Sequence, residues 1–358
     1  MRDLIATIDA WRARGDAVAL ATVVKTGGAT PRPLGAKMIV NARGEFAGSV
    51  SGGCVEGAVI EEARRVLKTG KPKLLKYGIA NEMAWDVGLS CGGVIEVWLE
   101  IGSWKLEVGK LDLMNAIKRA IELDELCAVA TIVSGANVGA KMIVYADGRT
   151  SGDLGDAQLN AQVARDALNA MQHESPENRA YGDAEIFFDV IAPKLKLVIF
   201  GGVHTAIPLT HFAQALGFRV TIVDGRERFA NRARFPTADE IIVEWPQDAL
   251  TQIKIDASTY VAILTHDPKF DLPALAALSK TTPPRYIGAM GSRATRQKHF
   301  AELRAQGISE EFLSRVHGPI GLDLGARTPE EIALAIIAEI VAIRHNRQAG
   351  FLSSGGEK

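Results

Sequence analysis

Along the first half of the chain, short apolar runs alternate with polar turns in an order that then repeats. Val18-Ala-Leu-Ala-Thr-Val-Val24 and Lys37-Met-Ile-Val40 are rich in branched residues and read as strands. The segment Val55–Leu67 reads as a helix, with Val55, Val59, Ala63 and Val66 on one face. Lys73–Tyr77 and Val94–Glu100 read as further strands, and Leu4–Trp11 as a short leading helix. The same series returns as strands Cys127–Val133 and Lys141–Tyr145, helix Leu159–Met171 and strand Glu185–Ile191. Residues 1–193 therefore read as one α/β unit built by duplication, with copies at about 16–100 and 125–192, or as two small domains packed face to face.

The texture changes after Ala192-Pro193. Leu195–Phe200 is a buried-strand run ending in Gly201-Gly202, followed by a helix over Ala206–Leu216 and a strand Arg219–Val223 that ends at Asp224. Ile241–Val243, Thr259–Leu264 and Arg285–Ile287 read as strands, with helices at Leu272–Ser279 and Arg293–Gln306. This alternation indicates a Rossmann-like, doubly wound parallel sheet over residues 194–346. Thr328-Pro-Glu-Glu331 opens the last helix, with Thr as N-cap, Pro at the first helical position and Glu at the third. The tail 347–358 reads as disordered. The fold class is thus α/β: a duplicated N-terminal α/β unit followed by a Rossmann-like domain.

The two copies differ in an informative way. Gly35 and Gly139 stand 104 residues apart, as do Tyr77 and Tyr181. At that offset Gly52, Gly53, Cys54 and Glu56 become Asp156, Ala157, Gln158 and Asn160. The loop Thr26–Leu34, with Thr30-Pro-Arg-Pro33, is shortened in the second copy, and Met83–Gly93 is missing from it. What both copies keep is expected to be scaffold. What only the first keeps is the candidate for chemistry.

The loop Gly48-Ser-Val-Ser-Gly-Gly-Cys-Val-Glu56 leads straight into a helix, where inward-turned N–H groups of Ser51, Gly52 and Gly53 favour a phosphate. Cys54 falls where a thiolate is favoured, and Glu56, in the first turn of the helix, is placed to cap or to carry protons. The bland reading is a tight turn over a buried thiol. Gly88-Leu-Ser-Cys91-Gly-Gly93 presents a second glycine-flanked thiol, so Cys54 and Cys91 are candidate soft metal ligands; a glycine-rich hairpin is the alternative. Cys127, in a strand, reads as core. Arg32 is a candidate anion contact or a solvent-exposed side chain.

In the C-terminal half, Gly201-Gly-Val-His-Thr-Ala206 sits where a dinucleotide fingerprint belongs, with Asp224 at the ribose position. Val203 replaces the second glycine of that fingerprint. His204, His266, Ser292, Arg293 and Asp323 fall in loops that the fold predicts at the same rim; Ser292 and Arg293, with the loop before them, are candidate anion contacts.

A formal net charge of −1 gives no electrostatic reason for nucleic acid or an anionic membrane as partner. The longest apolar stretch, Ile332–Ile343, is interrupted by Glu339 and falls short of the roughly 18–20 residues of a membrane span. The N-terminus lacks the apolar core of a signal peptide, and three cysteines without a C-x-x-C pair make neither a disulfide framework nor a zinc site. A cytoplasmic location is expected.

Taken with Gly48–Glu56 and Gly88–Gly93, the segments Leu264-Thr-His266, Tyr286-Ile-Gly288, Gly291-Ser-Arg293 and Pro319–Glu331 give the chain a resemblance to the XdhC/CoxI family over nearly its whole length. The resemblance implies an accessory protein of xanthine dehydrogenase and related molybdenum hydroxylases. Such a protein binds molybdenum cofactor (molybdopterin), assists its sulfuration and delivers it to the apoenzyme. It is a chaperone rather than a turnover enzyme, with a cysteine desulfurase and a second copy of itself as further partners. On this reading Cys54 is the thiol nearest the metal or transferred sulfur. An NAD(P)-linked oxidoreductase, or another nucleotide-ligand enzyme using the Rossmann rim, is the alternative.

Overall fold

The structure is a computed structural model that describes residues 1–78, 93–102, 113–351 and 353. It divides into two units, Met1–Pro193 and Lys194–Lys358.

The first unit holds two like-built halves. One half comprises α1 (Arg2–Ala13), β1 (Val18–Gly27), β2 (Lys37–Asn41), β3 (Phe46–Gly48), α2 (Glu56–Thr69), β4 (Lys73–Tyr77) and β5 (Val94–Ile101). The other comprises α3 (Leu113–Glu122), β6 (Cys127–Ser134), β7 (Lys141–Tyr145), β8 (Thr150–Asp153), α4 (Ala157–Gln172), β9 (Glu177–Tyr181) and β10 (Ala184–Ile191). The sheets have matching orders, β3-β2-β1-β5-β4 and β8-β7-β6-β10-β9, with antiparallel neighbours throughout. The register matches as well: Leu20 opposes Ile39 in one sheet and Val129 opposes Ile143 in the other.

Strand alternation explains the unbroken apolar runs. Ala19, Ala21 and Val23 face α2 and pack with Val59 and Ala63. Val18 and Leu20 face the other way, into a core shared with Val129 and Ile143 of the second half. Both faces of each sheet are covered, so both sets of positions are apolar. Cys127 is fully buried in that shared core, and burial pushes its thiol up to about 12, as a packing residue requires.

The lysine of the repeated Gly-Ala-Lys-Met-Ile-Val segment also crosses between the halves. Lys37 Nζ lies 2.7 Å from Asp189 Oδ1, and Lys141 Nζ lies 3.0 Å from Glu100 Oε1. Asp189 opposes Val129 and Glu100 opposes Leu20, so the pairs occupy equivalent positions. All four side chains are largely buried.

The second unit contains β11 (Lys196–Phe200), α5 (Ala206–Ala215), β12 (Arg219–Val223), β13 (Glu240–Ile242), α6 (Pro246–Gln252), β14 (Thr259–Ile263), α7 (Pro268–Leu278), β15 (Tyr286–Ala289), α8 (Arg293–Ala305), α9 (Glu310–Ser314), β16 (Val316–His317) and α10 (Pro329–Arg344). Its sheet is parallel in the order β13-β12-β11-β14-β15-β16, the Rossmann order, with the direction of winding reversing between β11 and β14. Leu197 and Ile199 pack toward α5 and α10, while Val198 and Phe200 pack toward α7 and α8. The capping box expected at Thr328 and Glu331 is formed.

Candidate functional site

The segments peculiar to the first copy meet in one place. Gly52 backs onto Pro31: a Cβ on that glycine would lie 3.5 Å from the proline Cβ. Arg32 Nε donates to the Ser49 carbonyl at 3.3 Å. A Cβ on Gly93, the last residue of the first copy's extra segment, would collide with the Ala29 carbonyl. Loop 26–34, loop 48–56 and the end of the extra segment thus share one patch, with Cys54 half-buried and Arg32 exposed. Cys91 lies outside the described residues.

The interior of loop 48–56 differs from the expected phosphate cradle. Its N–H groups do turn inward, but the anion they meet is the chain's own Glu56. One carboxylate oxygen accepts from Ser49 Oγ (2.6 Å), Val50 N (3.2 Å) and Ser51 N (2.9 Å). The other accepts from Ser51 Oγ and from Gly53 N (2.9 Å). Gly52 N is taken by Ser49 Oγ at 2.9 Å. Ser51, Gly52 and Gly53 therefore have no inward N–H to offer a phosphate.

Burial opposes ionisation of Glu56, but the hydroxyls of Ser49 and Ser51 and the Ser51 N–H outweigh it and hold the pKa at about 2. A carboxylate so strongly stabilised is an acceptor at neutral pH. Of the two roles expected of Glu56, the geometry matches the capping one: the carboxylate accepts backbone N–H groups and ties the loop. Helix α2 itself begins with Val55 as N-cap and no side-chain cap. Cys54 stands immediately before that start.

In the second unit the rim loops after β11 and β14 touch. A Cβ on Gly201 would meet the Thr265 methyl at 2.7 Å, so this glycine is required by packing. A Cβ on Gly202 would run into the Phe229 carbonyl, so it too is spent on packing. Asp224 is equally committed. Its oxygens accept from Gly202 N (3.0 Å), Arg226 N (3.0 Å), Arg226 Nε (2.8 Å) and Arg226 Nη2 (2.8 Å), and its side chain is fully buried. The Asp224 carboxylate, expected to meet a ribose, is occupied here by Arg226, two residues on. With Val203 in the glycine position and Asp224 held by Arg226, the rim departs from the dinucleotide fingerprint at two of its positions.

His204 and His266 are exposed on these two neighbouring loops, and His266 adopts a left-handed φ of 56°. Ser292 serves as N-cap of α8: its Oγ accepts from Thr295 N at 3.1 Å and lies 2.9 Å from Thr295 Oγ1. Arg293 and Asp323 are exposed. Among the described residues no three His, Cys, Asp or Glu side chains group to hold a metal ion.

Two polar clusters lay outside the sequence expectations. On the rim, Asp271 is buried and receives a hydrogen bond from Thr265 Oγ1; burial raises its carboxyl to about 6. Glu339 of α10 accepts from Tyr286 OH and from Gly321 N (2.7 Å) and lies 3.0 Å from His317 Nδ1. Burial opposes its charge, and these three partners still hold it below the ordinary glutamate value. The signal for this second cluster was present: Glu339 is the one carboxylate interrupting the apolar run of the last helix.

A Rossmann domain preceded by a duplicated antiparallel sheet unit defines the class, and comparison with known proteins agrees. Residues 11–78 and 120–182 match the XdhC and CoxI family, and residues 197–340 match the XdhC Rossmann domain. The chain belongs to the XdhC/CoxI family. It is 26% identical over 340 residues to a Bacillus subtilis protein named as a probable xanthine dehydrogenase subunit, spanning 94% of this chain and 96% of the relative. It is also 26% identical over 334 residues to the Escherichia coli molybdenum cofactor insertion chaperone PaoD, spanning 93% of this chain and 86% of that one. A crystal structure titled as a xanthine dehydrogenase from Bacillus halodurans has the same fold, with a TM-score of 0.77 at 24% identity over 98% of this chain and 97% of the other. Among the described residues, no helix is long and apolar enough to cross a membrane.

Proposed function

We infer that this chain is a maturation factor for a molybdenum hydroxylase of the xanthine dehydrogenase type, with molybdenum cofactor as its cargo. The observation that carries the reading is the meeting of loops 26–34 and 48–56 with Gly93, all beside Cys54. These are the segments that the second copy, otherwise alike in topology, lacks or replaces. The relative named as a molybdenum cofactor insertion chaperone supports the same reading.

The chemistry of the patch suits the cargo. A thiol is a soft ligand matched to molybdenum and its sulfur atoms. An exposed guanidinium at Arg32 suits the cofactor phosphate. Glu56 holds the loop so that Cys54 stands at the open start of α2. The finer steps follow as part of the proposal: the cofactor is held in its sulfurated form, with a cysteine desulfurase supplying the sulfur, and a dimer of this chain hands it to the apoenzyme.

Reconstitution tests the reading. Cofactor-loaded protein mixed with a cofactor-free xanthine dehydrogenase-type enzyme is expected to restore activity faster and further than equimolar cofactor alone. Equal activation by the two would overturn the chaperone role.

A further inference from the structure

A cleft of about 270 Å³ runs along α8 in the Rossmann unit, lined by Arg293, Arg296, Gln297, Phe300, Arg304 and Gly318. The helical spacing of the first four brings them to one side of α8. Phe300 is buried and forms the floor, and the Arg296 guanidinium lies 4.8 Å from the centre of its ring. Arg296 Nη1 donates to the Gly318 carbonyl at 3.1 Å, which fixes the guanidinium over that floor.

The charges in this cleft are poorly balanced. Arg304, at the far end, is paired with Glu310, with Nη2 3.1 Å from Oε2. Among the described residues, Arg293 and Arg296 form no ion pair with a carboxylate, and Arg296 Nε is buried without a hydrogen-bond partner. Two guanidinium groups and the Gln297 amide thus line a concave site with no anion of the protein's own. Guanidinium forks match the oxygen spacing of a phosphoryl group, and such charge-assisted bonds are the strong ones.

We propose that this cleft binds the phosphate group of a small ligand, whether inorganic phosphate or a phosphate monoester, through Arg293, Arg296 and the Gln297 amide. The site lies on the flank of α8. It shares Arg293 with the Gly288–Arg293 loop and extends from there along the helix. It does not depend on the cargo assignment, which rests on Cys54.

Calorimetric titration of the full chain at fixed, low ionic strength tests the proposal. Inorganic phosphate, cytidine 5′-monophosphate and hexaglutamate form three arms. Phosphate or the monophosphate is expected to bind saturably, and the tighter of the two identifies free anion or ester. Arg293→Gln and Arg296→Gln are each expected to weaken binding by about tenfold or more, the effect of losing a hydrogen bond between charged groups. Lys298→Gln, on the same helix but not lining the cleft, is expected to leave binding within about twofold. Arg293 is exposed, so its variant carries the test if Arg296→Gln fails to fold. No binding in either phosphate arm, or equal weakening by Lys298→Gln, overturns the proposal. Tighter binding of hexaglutamate than of either phosphate also overturns it and makes the cleft a docking surface for acidic protein segments.

Discussion

The helix starts of the two repeats share one tie beneath the loop and differ in the cap. In the second copy, Asp156 caps α4 by accepting from Leu159 N at 2.7 Å. Asn160 accepts from Leu154 N at 3.0 Å and donates to Asp153 Oδ1 at 2.7 Å. In the first copy the residue equivalent to Asn160 is Glu56, and it gathers the hydroxyls and N–H groups of Ser49, Val50, Ser51 and Gly53 onto one carboxylate. The position equivalent to Asp156 is Gly52, and α2 starts without a side-chain cap. The second copy closes its helix end with its own side chains. The first relies on the tie alone: Ser51 Oγ accepts from Val55 N at 2.9 Å, and α2 begins after Cys54 without a side-chain cap. The backbone plan is shared, and the side chains that finish the helix start are not.

The comparison breaks first where the copies are most alike. Removing Lys37 leaves Asp189 buried without its partner, and removing Lys141 does the same to Glu100. Lys37→Met and Lys141→Met should each cost about 3–5 kcal/mol in denaturant unfolding. Adding Asp189→Leu to Lys37→Met should recover much of that loss. A large loss from one lysine and none from the other would contradict the equivalence of the two pairs.

Glu56 and Asn160 come next. Glu56→Gln turns an amide toward N–H donors and should cost about 2–4 kcal/mol, whereas Asn160→Ala, with fewer bonds and its one charged partner, Asp153, exposed, should cost about 1–2 kcal/mol. The pH dependence carries a sign. The folded pKa of Glu56, about 2, lies below the ordinary glutamate value of 4.5, so its contribution is complete above about pH 4.5. It is lost as the pH falls toward 2. Stability curves of wild type and Glu56→Gln should therefore converge in acid over that window. A constant gap down to pH 2 would show that Glu56 is not charged in the folded loop.

Much of this was legible in the sequence, and the limits are physical. Unbroken branched and apolar runs placed β1, β2, β6 and β7 to within a few residues, because strands covered on both faces are apolar throughout. Edge strands β3, β8 and β9 are short or polar and carry no such signal. The repeat register separated scaffold from peculiar loops. It did not reveal the direction of hydrogen bonds inside loop 48–56: a glycine-rich turn before a helix looks the same whether it holds a phosphate or its own Glu56. Asp224 matched a ribose-binding position by spacing, yet Arg226 is near enough to claim it. His317, Tyr286 and Glu339 are brought together by long-range packing, and only the carboxylate in an apolar helix marked the cluster.

Smaller stability effects sharpen the contrast at the helix starts. Asp156→Ala removes a side-chain cap and should cost about 1 kcal/mol. Cys54→Ala, at a half-buried position, should cost no more than about 1 kcal/mol. Differential scanning calorimetry of the two variants checks both. A loss of several kcal/mol at Cys54 would mark it as a packing residue.

The central claim is that the first copy carries the cargo and the second does not. Anaerobic titration of molybdenum cofactor, followed by absorbance and tryptophan fluorescence, tests it on wild type, Cys54→Ala and Gln158→Ala, the equivalent position of the second copy. Saturable binding is expected in wild type and Gln158→Ala, and its loss in Cys54→Ala. Undiminished binding in Cys54→Ala, or a loss confined to Gln158→Ala, would contradict the account.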